Sequence, residues 1–486
     1  MIPWEPPVPW KPDQAVLPPP EPPAAKPQPV SASQFASDVV QPAQATEPQP
    51  VPAPSALLGP PLPPALVPME TPGAPVPPTI EPAVVAPPIG LKPAETKEPQ
   101  DPSFKLRGRI EADSITVTQS PKDKALFGNY QDAVGFRRLR LGSEGTANEV
   151  TRWVAEVDFA GGNIALKDAF VAVNHLPFLR EVRVGHMAEP FSLEGQTRSV
   201  WFPFTERSPA FTFDPTRNWG VGVYSFTDDR NWVIQGGLFK SGTDNTGTDI
   251  GDSNDLAGTG RVVWVPWYQE SDDSLQMLHI GGAASERNAK DGIISFNRGP
   301  QSNLLQSGLD NPRRPFVVSL TIPGNQYQLY NLQSALVLGP LSFEAEWSGT
   351  RVEQTGGGPV TLDGWYIQAG YFLTGEHRNY NRDFGTFWEP TVRRPFICKD
   401  GSASIGPGAW EVGLRLAHLN FDNANLPRAS NGLPLGTRTT TITLGLNWYL
   451  NDNARIMVDW VHAIPDYPPF GTSTADLFTV RSAVFW

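Results

Sequence analysis

From Phe104 to Trp486 the chain is written in short segments in which apolar and polar residues alternate, separated by turns rich in Gly, Asn, Asp and Ser. A period of two places every second side chain on the same face of a strand. In 409–421, Trp410, Val412, Leu414 and Leu416 share one side while Glu411, Gly413, Arg415 and Ala417 share the other. Segment 152–159 sets Trp153, Ala155, Val157 and Phe159 against Arg152, Glu156 and Asp158. Trp365, Ile367, Ala369, Tyr371 and Leu373 repeat the device. So do Phe343, Ala345 and Trp347 against Glu344 and Glu346, and Ile456, Val458 and Trp460 against Arg455 and Asp459. The last segment runs Phe478, Val480, Ser482, Val484, Trp486, with Thr479, Arg481 and Ala483 between.

Two architectures produce this pattern. A soluble sandwich hides its apolar faces against each other, whereas a transmembrane barrel turns them to lipid and lines water with the polar faces. Three features favour the barrel. Most apolar faces carry a Trp or Tyr near one end, as an interfacial girdle requires. Segments of strand length recur with no strong helical period between them. The chain also ends inside a strand, on an aromatic residue, with apolar residues at alternate preceding positions. Region 103–486 holds 384 residues, so 16 strands allow about 24 residues for each strand and its connection, whereas eight strands would leave very long loops. The expectation is an all-β fold, a transmembrane antiparallel β-barrel of about 16 strands over 103–486, wide enough to enclose an aqueous channel.

Composition divides the chain in two. Of its 53 prolines, 31 fall in the first 100 residues, and that density is incompatible with packed helix or sheet. Residues 1–102 carry Lys11, Lys26, Lys92 and Lys97 as their only basic groups and read as a disordered Pro-rich segment, either a semi-rigid polyproline spacer or an inert extension. The opening MIPWEPPVPWK is broken by prolines and does not read as a secretory signal, so an export signal lies upstream or takes another form. Cys398, the single cysteine, excludes a disulfide framework, and a pI near 5.1 argues against nucleic acid as a partner.

Alternation also selects the charged side chains that face water. A Lys or Arg turned to lipid at mid-bilayer costs about 2–4 kcal/mol, so arginines opposite an apolar face belong in the lumen. These are Arg107 and Arg109, Arg138 and Arg140, and Arg415, Arg455 and Arg481. A guanidinium is a permanent cation with a planar donor fork that suits oxyanions. The plain alternative is a set of solvated charges neutralised by Glu111, Glu156, Asp158 and Asp459.

Segment 182–211 reads VRVGHMAEPFSLEGQTRSVWFPFTERSPAF. With Phe136-Arg137-Arg138-Leu139-Arg140 and Leu166-Lys167-Asp168-Ala169-Phe170 upstream, and Gly364–Tyr371 and Asn447–Asn451 downstream, it resembles the phosphate-selective porin O and P family over residues 104–486. The resemblance implies a homotrimer of 16-stranded barrels in the outer membrane of a Gram-negative-type bacterium. It implies that the segment from about Glu189 to Phe211 folds into the pore and constricts it, that basic residues form a ladder for anions, and that an acidic residue sits at the narrowest point. Asp168 matches that acidic residue, Arg137 and Arg138 match wall arginines to within one residue of register, and Arg207 follows Glu206 in the loop. Gly195 stands where a Lys is expected after Leu193-Glu194, leaving Arg198 to supply the charge. Trp486 matches the terminal aromatic read by the barrel-assembly machinery.

The six histidines form no metal-ligand spacing, and neither a phosphate-binding Gly-rich loop nor a nucleophile elbow is present. The chain therefore reads as a passive porin for small anions, phosphate or related oxyanions, with no cofactor and no catalytic role. Outer-membrane lipid, the permeating anion, sister copies, the assembly machinery and an envelope partner of the Pro-rich segment are the implied partners. The alternatives are a general nutrient porin without phosphate selectivity, or an envelope anchor tethered through that segment.

Overall fold

Alternating segments become strands because a bilayer offers no hydrogen-bond partners, so each spanning backbone must find its partners in a neighbouring segment. The computed structural model describes residues 102–486 except 163, 243–246, 248–254, 272, 297–319, 398–405, 427–435 and 469. The proline-rich segment, its spacer or tether role and Cys398 lie outside these residues.

Among the described residues, sixteen long antiparallel strands close a barrel. In order they are β1 Ser103–Gln119, β2 Ala133–Thr146, β3 Thr151–Asp158, β4 Ala165–Leu176, β5 Arg180–Ala188, β6 Arg217–Phe226, β7 Trp232–Lys240 and β8 Leu256–Ser271. The second half comprises β9 Ser274–Asn288, β10 Leu320–Leu338, β11 Leu341–Gln354, β12 Val360–Phe372, β13 Ala409–Asn420, β14 Arg438–Asn451, β15 Ala454–Tyr467 and β16 Ala475–Phe485. Two short strands, Ile293–Phe296 and Gly471–Thr472, extend the ladders of β10 and β15.

The barrel closes where β1 pairs with β16, from Arg109 opposite Phe485 to Gln119 opposite Ala475. One residue further, Gly108 and Trp486 exchange both backbone hydrogen bonds at 3.0 Å. The Trp486 ring lies across Gly108, where a Cβ would meet its Cζ2 at 2.4 Å. Glycine is needed there for room.

Outward rows carry the apolar side chains, among them Phe104, Leu106 and Ile110 on β1 and Val412, Leu414 and Leu416 on β13. Trp232 and Trp264 stack at 5.7 Å, and Trp410 and Trp448 at 5.2 Å, toward one rim. Toward the other, Trp365 stacks on His418 at 6.1 Å and Trp460 on His462 at 5.8 Å, so these histidines occupy girdle positions.

The connections β2–β3, β4–β5, β6–β7, β8–β9, β10–β11 and β14–β15 are a few residues long and share the end at which β1 begins. In barrels of this kind short turns face the periplasm and long loops the exterior. Among the long connections, 373–408, between β12 and β13, departs from that division by lying at the short-turn end.

Substituting Gly108→Val should displace the Trp486 ring and cost about 1–3 kcal/mol of overpacking at the seam. Deleting Trp486 should remove both terminal hydrogen bonds. Both variants are expected to lower the amount of heat-modifiable, detergent-extracted barrel on a gel; wild-type amounts from either would mean the seam tolerates an open end.

Candidate functional site

Two irregular segments fold into the lumen. The first, 189–216, joins β5 to β6, and Pro190, Pro203, Pro209 and Pro215 keep it from continuing a ladder. It contains one α-helical turn, Leu193–Gln196, whose Ser192 cap accepts from the Gly195 amide at 2.8 Å, and two 3-10 turns, Ser199–Trp201 and Pro209–Phe213. Side chains of the wall satisfy its backbone. Buried Glu189 receives Arg287 at 2.7 and 3.0 Å, Asn218 at 2.7 Å and Thr259 at 2.5 Å. Glu346 accepts the amides of Leu193 and Glu194 at 2.9 and 2.7 Å, and Gln333 donates to the Phe191 carbonyl at 3.1 Å.

Further along, arginines take over. Arg455 donates to the Phe202 carbonyl at 2.9 Å, Arg415 to the Glu206 carbonyl at 3.0 Å, and Arg481 to the Thr205 carbonyl. Arg481 also holds Asp113 at 2.7 Å through two nitrogens and Glu206 at 2.9 Å. Asp459 accepts the amide and hydroxyl of Thr205 at 2.7 and 2.8 Å. Arg137 grips both carboxylate oxygens of Glu206. Burial acts to raise the Glu206 carboxyl, but Arg137, Arg481 and Arg138 outweigh it and hold the group well below the usual carboxylate range.

The second lies in the connection between β12 and β13 and enters from the opposite end; its inward part is 374–392. It carries a two-stranded ladder, Tyr380–Asn381 with Thr386–Phe387. Arg261 donates to the carbonyls of Phe384 and Gly385 at 3.0 and 2.7 Å, Arg378 holds Glu344 at 2.9 Å, and Tyr380 meets His279 Nδ1 at 2.5 Å. The two segments meet through Trp201 and Trp388, whose ring centroids are 4.5 Å apart.

What they leave open against β1–β6 is a cavity of about 350 Å³. Its lining carries nine basic side chains: Lys105, Arg107, Arg109, Arg140, Arg152, Arg183, Arg198, Arg207 and Arg217. Four acids face them, Glu144, Glu156, Asp168 and Glu389. Arg107 pairs with Glu144 at 2.9 Å and Glu156 at 3.1 Å, and Arg140 with Glu156 at 3.0 Å and Asp158 at 2.8 Å. Arg217 holds Asp168 through two 3.0 Å bonds, with Arg107 3.9 Å away. Arg198 is exposed, lies 5.1 Å over the Trp201 ring and makes no ion pair among the described residues.

Of the residues expected on an anion pathway, Arg107, Arg109, Arg140, Asp168, Arg198 and Arg207 line this cavity. Arg137 and Arg138 both point inward although adjacent, because β2 bulges: Glu111 faces Arg138, Ala112 faces Phe136, and Arg137 is the extra residue. They lie behind the lining, on Glu206 and Glu111. A second bulge, with Glu156 opposite both Lys167 and Asp168, sets the register at Asp168.

Arg415, Arg455 and Arg481 require a correction. They face inward as alternation dictates, but at 1–2% exposure they are sealed behind the first segment and hold it rather than line the cavity. Lys105, Arg152 and Arg183 were legible by the same alternation, beside Phe104, Trp153 and Val184; Arg217 carries no local signal. The missing lysine also has a steric reason, since a Cβ on Gly195 would lie 2.2 Å from Asp214 Oδ2 and 2.7 Å from Ser192 Oγ.

The phosphate-selective porin O and P family matches residues 104–467. An uncharacterized protein of Caulobacter vibrioides is 29% identical over 384 residues, covering 74% of this chain and 71% of its own. Porin O of Pseudomonas aeruginosa is 24% identical over 387 residues, covering 75% and 83%. The anion-selective porin from Comamonas acidovorans superposes with a TM-score of 0.49 at 14% identity, over 79% of this chain and 100% of that one. With the family matched along nearly the whole barrel, the chain belongs to the phosphate-selective porin O and P family and is an outer-membrane porin.

Proposed function

We propose that small oxyanions, phosphate among them, diffuse passively through the cavity between the two inward segments. The observation that carries this reading is the lining, nine cations against four carboxylates, with Arg198 exposed and in no ion pair among the described residues. An anion entering exchanges part of its hydration shell for charge-assisted contacts with Arg198 and neighbours such as Arg107 and Arg207. Because Arg107, Arg140 and Arg217 already bind carboxylates, the hold at each step is weak enough for release. Asp168 offsets Arg217 and tempers the field. Arg415, Arg455 and Arg481 act indirectly, by fixing the aperture, and Arg137 and Arg138 belong to that supporting network.

Assembly into a homotrimer and recognition of Trp486 by the barrel-assembly machinery are part of the same proposal. Semi-native gels of the extracted protein test the first.

Reversal potentials across planar bilayers in a salt gradient test selectivity. Arg198→Glu should move the reversal potential toward cations and weaken phosphate block of chloride current. Even at the dielectric of water, one unit charge at 4 Å is worth about 1 kcal/mol, about fivefold in occupancy. Asp168→Asn should move it the other way by releasing Arg217. A general porin would show no phosphate block in the wild type and little response to either change.

Arg481→Met would leave buried Asp113 and Glu206 without their shared partner, a loss of about 3–5 kcal/mol. The first segment should loosen, with larger and noisier single-channel conductance and a smaller anion preference. Wild-type conductance from this variant would show that the arginine does not hold the aperture.

A further inference from the structure

We infer that the aperture recognises planar organic anions, aryl carboxylates above all, with the ring on Trp388 and the carboxylate at Arg198. This rests on the anion-channel reading and narrows its substrate class. Trp201 comes from one inward segment and Trp388 from the other, and their indoles touch with a 45° tilt. Trp201 is buried, whereas Trp388 is 44% exposed on the cavity lining. A tryptophan serving only to fill the gap between two segments would be covered on both faces. This one stays exposed on the lining of the aperture.

The cation belongs to the same arrangement. The Arg198 guanidinium sits on the Trp201 ring and makes no ion pair among the described residues, so a cation and an exposed tryptophan flank one indole. Other rings of the lining are already taken, for Phe170 and Phe384 lie 5.0 and 5.1 Å from the Arg183 guanidinium. Glu144, Glu156 and Asp168 are paired directly with Arg107, Arg140 and Arg217 and act on Arg198 only at longer range. Phosphate would use the cation and leave the ring wet; an aryl carboxylate uses both. A cavity of about 350 Å³ lies in the range of small-molecule sites, about 300–1,000 Å³.

The test uses the full chain in planar bilayers, with acetate, benzoate and cyclohexanecarboxylate as blockers of chloride current. Benzoate should half-block at about threefold to tenfold lower concentration than acetate, the range expected of one aromatic stack, and cyclohexanecarboxylate should fall between them. Trp388→Leu should abolish the benzoate advantage over acetate and Trp388→Phe should keep most of it. Equal block by benzoate and acetate in the wild type, or a benzoate advantage that survives Trp388→Leu, overturns the inference. Failure of the anion-channel reading itself would register separately, as a wild-type reversal potential without anion preference.

Discussion

A stretch of irregular backbone cannot rest inside a barrel unless something other than a ladder satisfies its amides and carbonyls, and the aperture depends on how that demand is met. The wall answers with charged side chains. Glu346 and Asp459 accept amides of segment 189–216, while Arg415, Arg455 and Arg481 donate to three of its carbonyls. Arg261 does the same for segment 373–408. A guanidinium suits the task because its fixed fork serves a carbonyl and a carboxylate together, and because it stays charged when buried. Arg481 does both at once, joining Asp113 of the wall to Thr205 and Glu206 of the segment.

The interior arginines therefore fall into two populations separated by a few ångströms. Behind the inward segments they are matched by carbonyls and carboxylates and act as fixed supports. In front, on β1–β6 and at Arg198, they line the cavity. The bulges at Arg137 and at Lys167 bring adjacent charged residues to one side where a regular strand would send one of them to lipid. The first bulge thereby serves the supporting network at Glu206 and Glu111, and the second brings Asp168 to the lining.

Alternation made the barrel, its approximate strand number and the inward direction of Arg107, Arg109, Arg140, Arg415, Arg455 and Arg481 legible, because side-chain direction in a strand is a local property. What stands between an inward side chain and water is not local. Nothing near Arg415 in the sequence announces Phe204 packed 4.6 Å from its guanidinium, since the partner is some two hundred residues away. Segment 373–408 escaped for the same reason: its residues have no periodicity, and only the count of strand directions puts it at the short-turn end. The bulges escaped because one inserted residue is invisible until the partner strand is known. The glycine at 195 was noticed as a missing lysine, while its cause, the carboxylate of Asp214, became visible only in three dimensions.

The seam between β1 and β16 has a consequence for the order of folding. Every other pairing joins strands adjacent in the chain and can form as a hairpin, but Arg109 meets Phe485 only when the first and last strands are both in hand. Until then the growing sheet carries two unsatisfied edges, each a template for pairing with another molecule. Loop-closure entropy is greatest for this contact, so it forms late and slowly. The seam is thus the kinetic bottleneck of the chain, and the interval before it closes is when aggregation competes with insertion.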